Sequence, residues 1–377
     1  MNTMTRGAGL DCVTVSAALI VRDEERFLPG CLDCLAGKVD EVIIVDTGSQ
    51  DSTVEIAEES GARILHHLWA DDFAQARNIA LDAASCSWIL YIDADERLSL
   101  PDGGVLGAYV DPKAAACLVR FRPKSGYTRY LEWRIFRNDP RIRFEGRIHE
   151  SMVRSIQDVA SSDGLKIART PVQIDHLGYD GDQAHKHPRN LPLLEGCVRD
   201  NPDRIYYWYH LAETLAALGR VEDAVAIAEE GLSRAMLALS DKSRTDCSLL
   251  IQTLARLRLA RKDETLDLLE QGLSRVPEDH ALRFLKARAL IEAGKPEAAL
   301  EIAEHLLAIN PEELVDGLIA FDESIFRERA CEVAAIASLK MARREEACRY
   351  FLKASAFAPQ ASHYAIKAAA LGGVRNV

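Results

Sequence analysis

The stretch Trp88-Ile89-Leu90-Tyr91-Ile92-Asp93-Ala94-Asp95-Glu96 decides the fold class. Five apolar or aromatic residues in a row suit a strand covered on both faces, and they run directly into two carboxylates spaced i, i+2. The same arrangement recurs upstream. Residues 13–21 are apolar and rich in β-branched side chains, and they stop at Arg22-Asp23-Glu24-Glu25. Glu41-Val42-Ile43-Ile44-Val45 stops at Asp46-Thr47-Gly48-Ser49, and residues 62–66 form a shorter third run. Between these runs, residues 25–35, 51–60 and 72–84 have helical spacing, and Ser52-Thr53-Val54-Glu55 fits a capping box. Repeated βα units imply an α/β fold with a parallel sheet and helices on both faces. Such sheets bind ligands at the carboxyl ends of their strands. Asp23, Glu24, Asp46, Asp93 and Asp95 are therefore expected along one edge.

From about residue 113 the pattern changes. Residues 114–121, 130–136 and 142–144 read as short strands joined by basic turns, with a further strand at 170–176. Asp180-Gly181-Asp182 marks a loop and a domain boundary near residue 185. From about residue 190 the chain reads as all helix. Trp208-x-x-Leu211-Ala212-x-x-Leu215-x-x-x-Gly219 is followed by Ala224-x-x-x-Ala228. Ala287-x-x-Leu290-x-x-x-Gly294 is followed by Ala299-x-x-x-Ala303 and Asn310-Pro311. Small residues at these places let paired helices approach closely. This is the tetratricopeptide pattern, with a period of about 34 residues. Pro277 and Pro311 are one period apart, whereas Ala224 to Thr265 and Ala299 to Ala347 are longer, which implies insertions at repeat junctions. The expected organisation is a mixed α/β sheet domain over residues 1–185 and an all-α helical repeat domain over residues 186–377.

Composition narrows the function. The chain has 377 residues, 46 Lys/Arg against 58 Asp/Glu, and a net charge of -12. That length leaves room for two or three domains. With 48% hydrophobic residues, intrinsic disorder and a disulfide miniprotein are excluded, and the acidic balance argues against nucleic acid as partner. No run approaches the ~20 apolar residues of a membrane span. The nine cysteines are scattered and odd in number, so a reducing, cytoplasmic setting is expected. Cys31-x-x-Cys34 lacks a second pair and reads as two small residues on one helix. Charge is unevenly spread. Residues 1–100 carry 7 basic and 18 acidic side chains, whereas residues 120–147 carry nine basic and three acidic ones. A basic stretch beside an acidic domain suits an anionic ligand.

Asp93-x-Asp95 can hold a hard divalent cation through oxygen ligands, and clustered carboxylates gain from one because it relieves their repulsion. Taken with its neighbours, this segment resembles the family 2 glycosyltransferases of the GT-A fold. The resemblance rests on Ile20-Val21-Arg22-Asp23-Glu24-Glu25, on Asp46-Thr47-Gly48-Ser49-Gln50-Asp51-Ser52-Thr53, on Ala76-Arg77-Asn78 and on Asp93-Ala94-Asp95-Glu96, in that order. More narrowly, the chain resembles a bacterial subgroup in which this domain precedes tetratricopeptide repeats, with the sublancin-type peptide S-glycosyltransferases as relatives. Residues 134–138, Phe144-Glu145-Gly146-Arg147-Ile148-His149-Glu150 and His176-x-Gly178-Tyr179 share in that likeness. Thr47 stands where many members have a second Asp.

The resemblance implies an inverting transferase that moves a sugar from a nucleotide-sugar, UDP-sugars foremost, to a peptide, protein or saccharide acceptor. It implies that Glu24 and Asp46 face the nucleoside, Arg77 lies near the base or pyrophosphate, and Asp93 contacts the ribose or the metal. Asp95 is implied as ligand to Mg²⁺ or Mn²⁺ on the diphosphate, with His149 as a third metal ligand or an acceptor contact. The leaving diphosphate needs positive charge, which the cation supplies and to which Arg134, Arg137 or Arg147 could add. Direct displacement needs a carboxylate base on the acceptor. Glu150 and Glu145 are the candidates, with Glu150 preferred. His66-His67 point to opposite faces of a strand, so joint metal binding is not expected, and His185-x-His187 sits in linker sequence. In the repeats, Tyr206 and Tyr209 form a stripe beside the core positions Trp208 and Leu211, suited to an extended acceptor peptide. The repeats also leave room for self-association. The competing reading is a catalytically inactive transferase-like domain on a protein-binding scaffold. A nucleotidyltransferase is disfavoured, because no glycine loop follows the first strand.

Overall fold

The computed structural model describes residues 13–178, 186–237 and 244–372. Tyr179, the Asp180-Gly181-Asp182 loop, the boundary at residue 185 and His185 lie outside the described residues. The chain divides into two units, one of Met1–Ser125 with Tyr130–Asp180, the other of Gly126–Arg129 with Gly181–Val377.

In the first unit, β1 (Val15–Val21), β2 (Glu41–Asp46), β3 (Arg63–His66) and β4 (Trp88–Tyr91) run parallel, with β2 and β4 flanking β1. The sheet continues through β5 (Glu96–Ser99), β6 (Ala114–Arg122), β7 (Tyr130–Arg137) and β8 (Lys166–His176) in the order β3-β2-β1-β4-β7-β6-β8-β5. β7 is antiparallel to β4, which makes the sheet mixed. Both faces are covered, and that is why the strands read as continuous apolar runs. Val15, Ala17, Leu19 and Val21 of β1 join Trp88, Leu90 and Ile92 in one core with Leu28, Cys31, Leu32 and Leu35 of helix α1 (Leu28–Leu35). Helix α2 (Thr53–Glu59) adds Ala57 to that side. Ala18, Ile43, Val45 and Ile89 face the other way, against Ala80 and Leu81 of α3 (Phe73–Ala83) and Ile156 and Val159 of α4 (Val153–Asp163). Each fully buried aliphatic side chain contributes about 1.5–3 kcal/mol, and truncating Leu90, which is inaccessible to solvent, to Ala would cost roughly 2–5 kcal/mol.

Three sequence expectations change. The capping box does not form: Ser52 makes no side-chain cap bond. The charged Asp51 takes that role, with Oδ1 accepting from the Thr53 amide at 3.0 Å. Residues 142–144 are not a strand, because the amide and carbonyl of Phe144 are both taken by the side chain of Asn78, at 2.9 and 3.0 Å. Two elements, β5 and α4, have no counterpart in the sequence reading. β5 is only four residues long, and α4 carried a plain signal in the spacing of Ile156, Val159 and Ala160.

The second unit is helical. α5 (Lys186–Asp200) precedes the hairpins α6 (Ile205–Ala217) with α7 (Val221–Leu237) and α8 (Arg244–Arg261) with α9 (Leu266–Arg275). Then follow α10 (His280–Glu292) with α11 (Pro296–Leu307), α12 (Glu328–Lys340) with α13 (Arg344–Phe357), and α14 (Ser362–Gly372). Ala212, Ala224 and Ala228 are fully buried, and a Cβ on Gly231 would lie 2.6 Å from Cβ of Trp208, so the small residues do set helix approach. The long interval before Ala347 is an insertion between α11 and α12. It holds the short turns Pro311–Glu313 and Glu323–Phe326 and buries Phe321, Ile325 and Phe326 in the core. Within this unit, Thr128 and Phe321 exchange hydrogen bonds, each 2.9 Å. Among the described residues no helix is long and apolar enough to cross a membrane, and every cysteine is a free thiol.

Candidate active site

Because β1, β2 and β4 are parallel, the acids that follow them gather at one sheet edge. The loops after β1 and β2 are laced together. Asp23 accepts from the Gln50 amide at 2.7 Å, and its own amide donates to Ser49 Oγ at 3.0 Å. The Glu24 amide donates to Thr53 Oγ1 at 2.7 Å. The Glu25 amide donates to Asp51, while the Glu25 carboxylate accepts from the Ser52 amide. Asp23 adopts φ 55, a left-handed backbone that costs a non-glycine residue of order 1–3 kcal/mol and is held by this lacing. Asp46 is buried and accepts from the Gly48 and Ser49 amides at 3.2 and 3.1 Å. Burial alone would push its carboxyl up, but hydrogen bonds from Ser49, Gly48 and His66 hold it below the usual range.

Helix α3 is capped by Asp72, which accepts from the Gln75 amide at 2.9 Å. Its Arg77 is buried between two carboxylates. Nη2 donates to Asp93 Oδ1 at 2.9 Å and Nε to Glu150 Oε1 at 2.5 Å. The guanidinium also lies over Tyr91 and Phe144, 5.0 and 5.5 Å from the ring centroids. Burial would raise the Asp93 carboxyl, and Arg77 with Arg134 outweighs it, so the carboxylate stays below its ordinary range. Glu150 ends a closed loop in which Glu145 and Ser151 exchange backbone hydrogen bonds, each 3.0 Å. The loop turns at His149, φ 50, and is tied to α3 where the Phe73 amide donates to the Arg147 carbonyl.

On the other side of the turn, Asp95 Oδ2 lies 2.9 Å from His176 Nε2. Burial would lower the His176 imidazole, but the Asp95 carboxylate prevails and raises it. Gly178 lies directly against Asp95, and the Leu177 amide donates to the Asp95 carbonyl at 2.9 Å. Behind the turn, Glu96 and Arg134 form a buried pair with contacts of 2.8 and 3.0 Å.

The edge thus brings together Glu24, Asp46, Arg77, Asp93, Asp95 and Glu150. Arg77 is committed to two carboxylates rather than presented to a ligand. His149 does not complete a metal group with Asp93 and Asp95: among the described residues no set of three or more His, Cys, Asp or Glu is so assembled. The left-handed turn at His149 delivers Glu150 to Arg77, and the imidazole beside Asp95 is that of His176. Two of the three basic residues expected to face a diphosphate are elsewhere. Arg134 is buried against Glu96, and Arg137 pairs with Trp88 at the opposite end of β4 and donates to the Ala114 carbonyl. Arg147 is exposed. Tyr206 and Tyr209 are half-buried on α6, their rings packed against His210 at 4.3 and 4.6 Å, while Trp208 and Leu211 are core as expected. His176, Gly178 and Glu96 were not assigned roles from sequence. The end of β8 is remote in sequence from Asp95, and only the strand pairing of Glu96 with His176 joins them.

The donor set fits a hard cation. Oδ1 of Asp93 and Oδ2 of Asp95 are engaged, which leaves Oδ2 of Asp93 and Oδ1 of Asp95 without a hydrogen bond among the described residues. Two carboxylate oxygens leave most of an octahedral Mg²⁺ or Mn²⁺ shell to phosphate and water.

Residues 16–155 match the family described as Glycosyl transferase family 2, and residues 253–320 match Tetratricopeptide repeat. A TPR repeat-containing protein of Synechococcus elongatus is 38% identical over 235 residues, 60% of this chain and 58% of the relative. The SPbeta prophage-derived glycosyltransferase SunS of Bacillus subtilis is 25% identical over 277 residues, 69% of this chain and 63% of the relative. An uncharacterized glycosyltransferase of Rickettsia felis is 39% identical over 85 residues, 22% of this chain and 30% of the relative. The chain therefore spans about three fifths of the length of the first two relatives. The mixed sheet with its acidic strand ends falls within the match to glycosyltransferase family 2, and helical hairpins of the second unit fall within the match to tetratricopeptide repeats.

Proposed function

We propose that the protein is a metal-dependent, inverting glycosyltransferase that takes a sugar from a nucleotide-sugar, UDP-linked foremost, to a peptide, protein or saccharide acceptor. The observation that carries this reading is the Asp93/Asp95 turn at the end of β4, braced by Arg77 on one side and His176 on the other, with one oxygen of each carboxylate still open. Asp93 and Asp95 would hold the Mg²⁺ or Mn²⁺ ion, which would act as a Lewis acid on the leaving diphosphate. The remaining work falls to the chain. The laced loops bearing Glu24 and Asp46 form a rigid floor for the nucleoside. Glu150 accepts the proton of the acceptor nucleophile on Oε2, since Oε1 is held by Arg77. Arg77 orients Glu150, so it is a positioning residue rather than a donor ligand. The repeats present the acceptor, with Tyr206 and Tyr209 as contacts, in a cytoplasmic setting.

The test is incubation with a panel of sugar nucleotides and Mn²⁺. Slow release of the nucleoside diphosphate from one donor supports the reading. Failure to bind any donor would favour a catalytically silent scaffold.

A further inference from the structure

Glu96 and Arg134 touch no open surface: they are 1% and 6% exposed. Arg134 Nη2 meets Glu96 Oε1 at 2.8 Å and Nη1 meets Oε2 at 3.0 Å. The same Oε2 accepts the backbone amide of Asp93 at 3.0 Å, and the Glu96 amide closes the turn by donating to the Asp93 carbonyl at 3.0 Å. The guanidinium lies over aromatic rings, 4.3 Å from the Tyr91 centroid and 4.6 Å from that of Phe121. Glu96 is also the strand partner of His176, whose ring contacts Asp95. The Glu96 carboxylate therefore reaches Asp93 through its amide, and the Glu96 backbone is linked to Asp95 through His176 on the neighbouring strand.

A buried ion pair is a poor stability device, because apolar residues of similar volume often serve the fold as well or better. Its geometric consequence here is specific. Asp93 and Asp95 are like charges two residues apart, and without an acceptor for the Asp93 amide the turn can relax by swinging them apart. Resting on the reading of Asp93 and Asp95 as the cation and diphosphate site, we propose that the Glu96–Arg134 pair is a positioning unit that keeps the two carboxylates in their ligand-binding arrangement.

Two double variants isolate this role. Glu96→Gln with Arg134→Met removes both buried charges but keeps a side-chain oxygen for the Asp93 amide. Glu96→Leu with Arg134→Met removes the charges and that oxygen. Each protein is titrated with Mn²⁺ in the presence of UDP, followed by the Mn²⁺ spin-resonance signal and by calorimetry, and its melting temperature is measured. The Gln/Met variant, which keeps the oxygen but loses the grip of Arg134 on it, should bind about threefold more weakly than wild type, and the Leu/Met variant at least about fivefold more weakly still, the worth of one hydrogen bond, at a similar melting temperature. Equal binding by the two variants overturns the proposal. If the Leu/Met variant does not fold, Arg134→Lys decides. It keeps the charge but cannot grip both Glu96 oxygens, so a folded Arg134→Lys protein must lose affinity, and wild-type affinity there also overturns the proposal. Absence of Mn²⁺–UDP binding in the wild-type protein would instead remove the underlying assignment of the site.

Discussion

Gly178 and Asp95 are in direct contact: a Cβ built on Gly178 would lie 1.8 Å from Oδ2 of Asp95. The carboxylate rests on bare backbone, with the His176 ring 2.9 Å from the same oxygen. Gly178 does not have a left-handed backbone, so the requirement is for space alone. Gly178→Ala should therefore fold with a melting temperature close to wild type while pushing Asp95 out of place. Cation-dependent turnover should fall by about tenfold or more, since a displacement of about 1 Å in a catalytic group can cost 10²-fold. Unchanged turnover, with the substitution accommodated, would mean that the seat is not needed.

Asp95→Ala tests the ligand itself. The side chain sits at a strand end and supports no core packing, so the fold should survive. Transfer should be abolished, because losing several kcal/mol of Lewis-acid stabilisation costs far more than tenfold. More than about a tenth of wild-type turnover would defeat the assignment of Asp95 as metal ligand.

Glu150 and Glu145 are both candidate bases in the sequence, with Glu150 preferred, and they differ in the structure. Glu145 is exposed and uses its backbone to close the loop with Ser151, whereas Glu150 is half-buried and held by Arg77. Glu150→Gln keeps an oxygen for Arg77 and removes the basicity. Donor binding should persist and turnover fall by about 10²-fold or more, while Glu145→Gln should stay near wild type. The reverse pattern in steady-state kinetics would exchange the two roles.

The parallel half of the sheet was legible because its strands are apolar on both faces and end abruptly in acids. Asp46, Asp93 and Asp95 were placed on one edge by that logic alone. What the chain does not advertise locally was missed. Residues 142–144 have strand-like composition, yet Asn78 captures the backbone of Phe144. Arg134 and Arg137 both looked available to a diphosphate, but β7 runs antiparallel to β4. One is thereby carried to Glu96 behind the D-x-D turn, and the other to the far end near Trp88. His176 could be joined to Asp95 only once β8 was known to pair with β5.

Two hairpin turns of the repeats depart from glycine, at Lys262 (φ 62) after α8 and at Ala342 after α12. In the hairpins α6–α7 and α10–α11 the left-handed turn residue is a glycine, Gly219 at φ 77 and Gly294 at φ 70. In α12–α13 the corresponding residue is Ala342 at φ 61. An L-residue pays roughly 1–2 kcal/mol for that conformation, partly offset by the greater chain entropy that glycine loses on folding. Ala342→Gly should raise stability by about 0.5 kcal/mol, read as a higher denaturation midpoint at unchanged slope. A fall in the midpoint would mean that the Ala342 methyl makes packing contacts worth more than its strain.

The last prediction concerns the acceptor. Tyr206 and Tyr209 lie three residues apart on α6 with ring centroids 6.1 Å apart, and both pack on His210. The buried side of the same helix is supplied by Tyr207, Trp208 and Leu211, so the two half-buried tyrosines are not needed to fill that core. Their rings offer apolar area with polar tips at low entropic cost, which suits an extended peptide. If they serve the acceptor, a Tyr206→Ala, Tyr209→Ala protein should keep its melting temperature and its slow donor hydrolysis, because neither depends on acceptor. The acceptor KM should rise while kcat at saturation changes little, the signature of lost uniform binding. Loss of two aromatic contacts corresponds to a rise of about tenfold. A melting temperature lower by several degrees, with donor hydrolysis impaired as well, would instead make the pair a packing element of the repeat unit. The acceptor surface would then have to be sought on another face of the repeats.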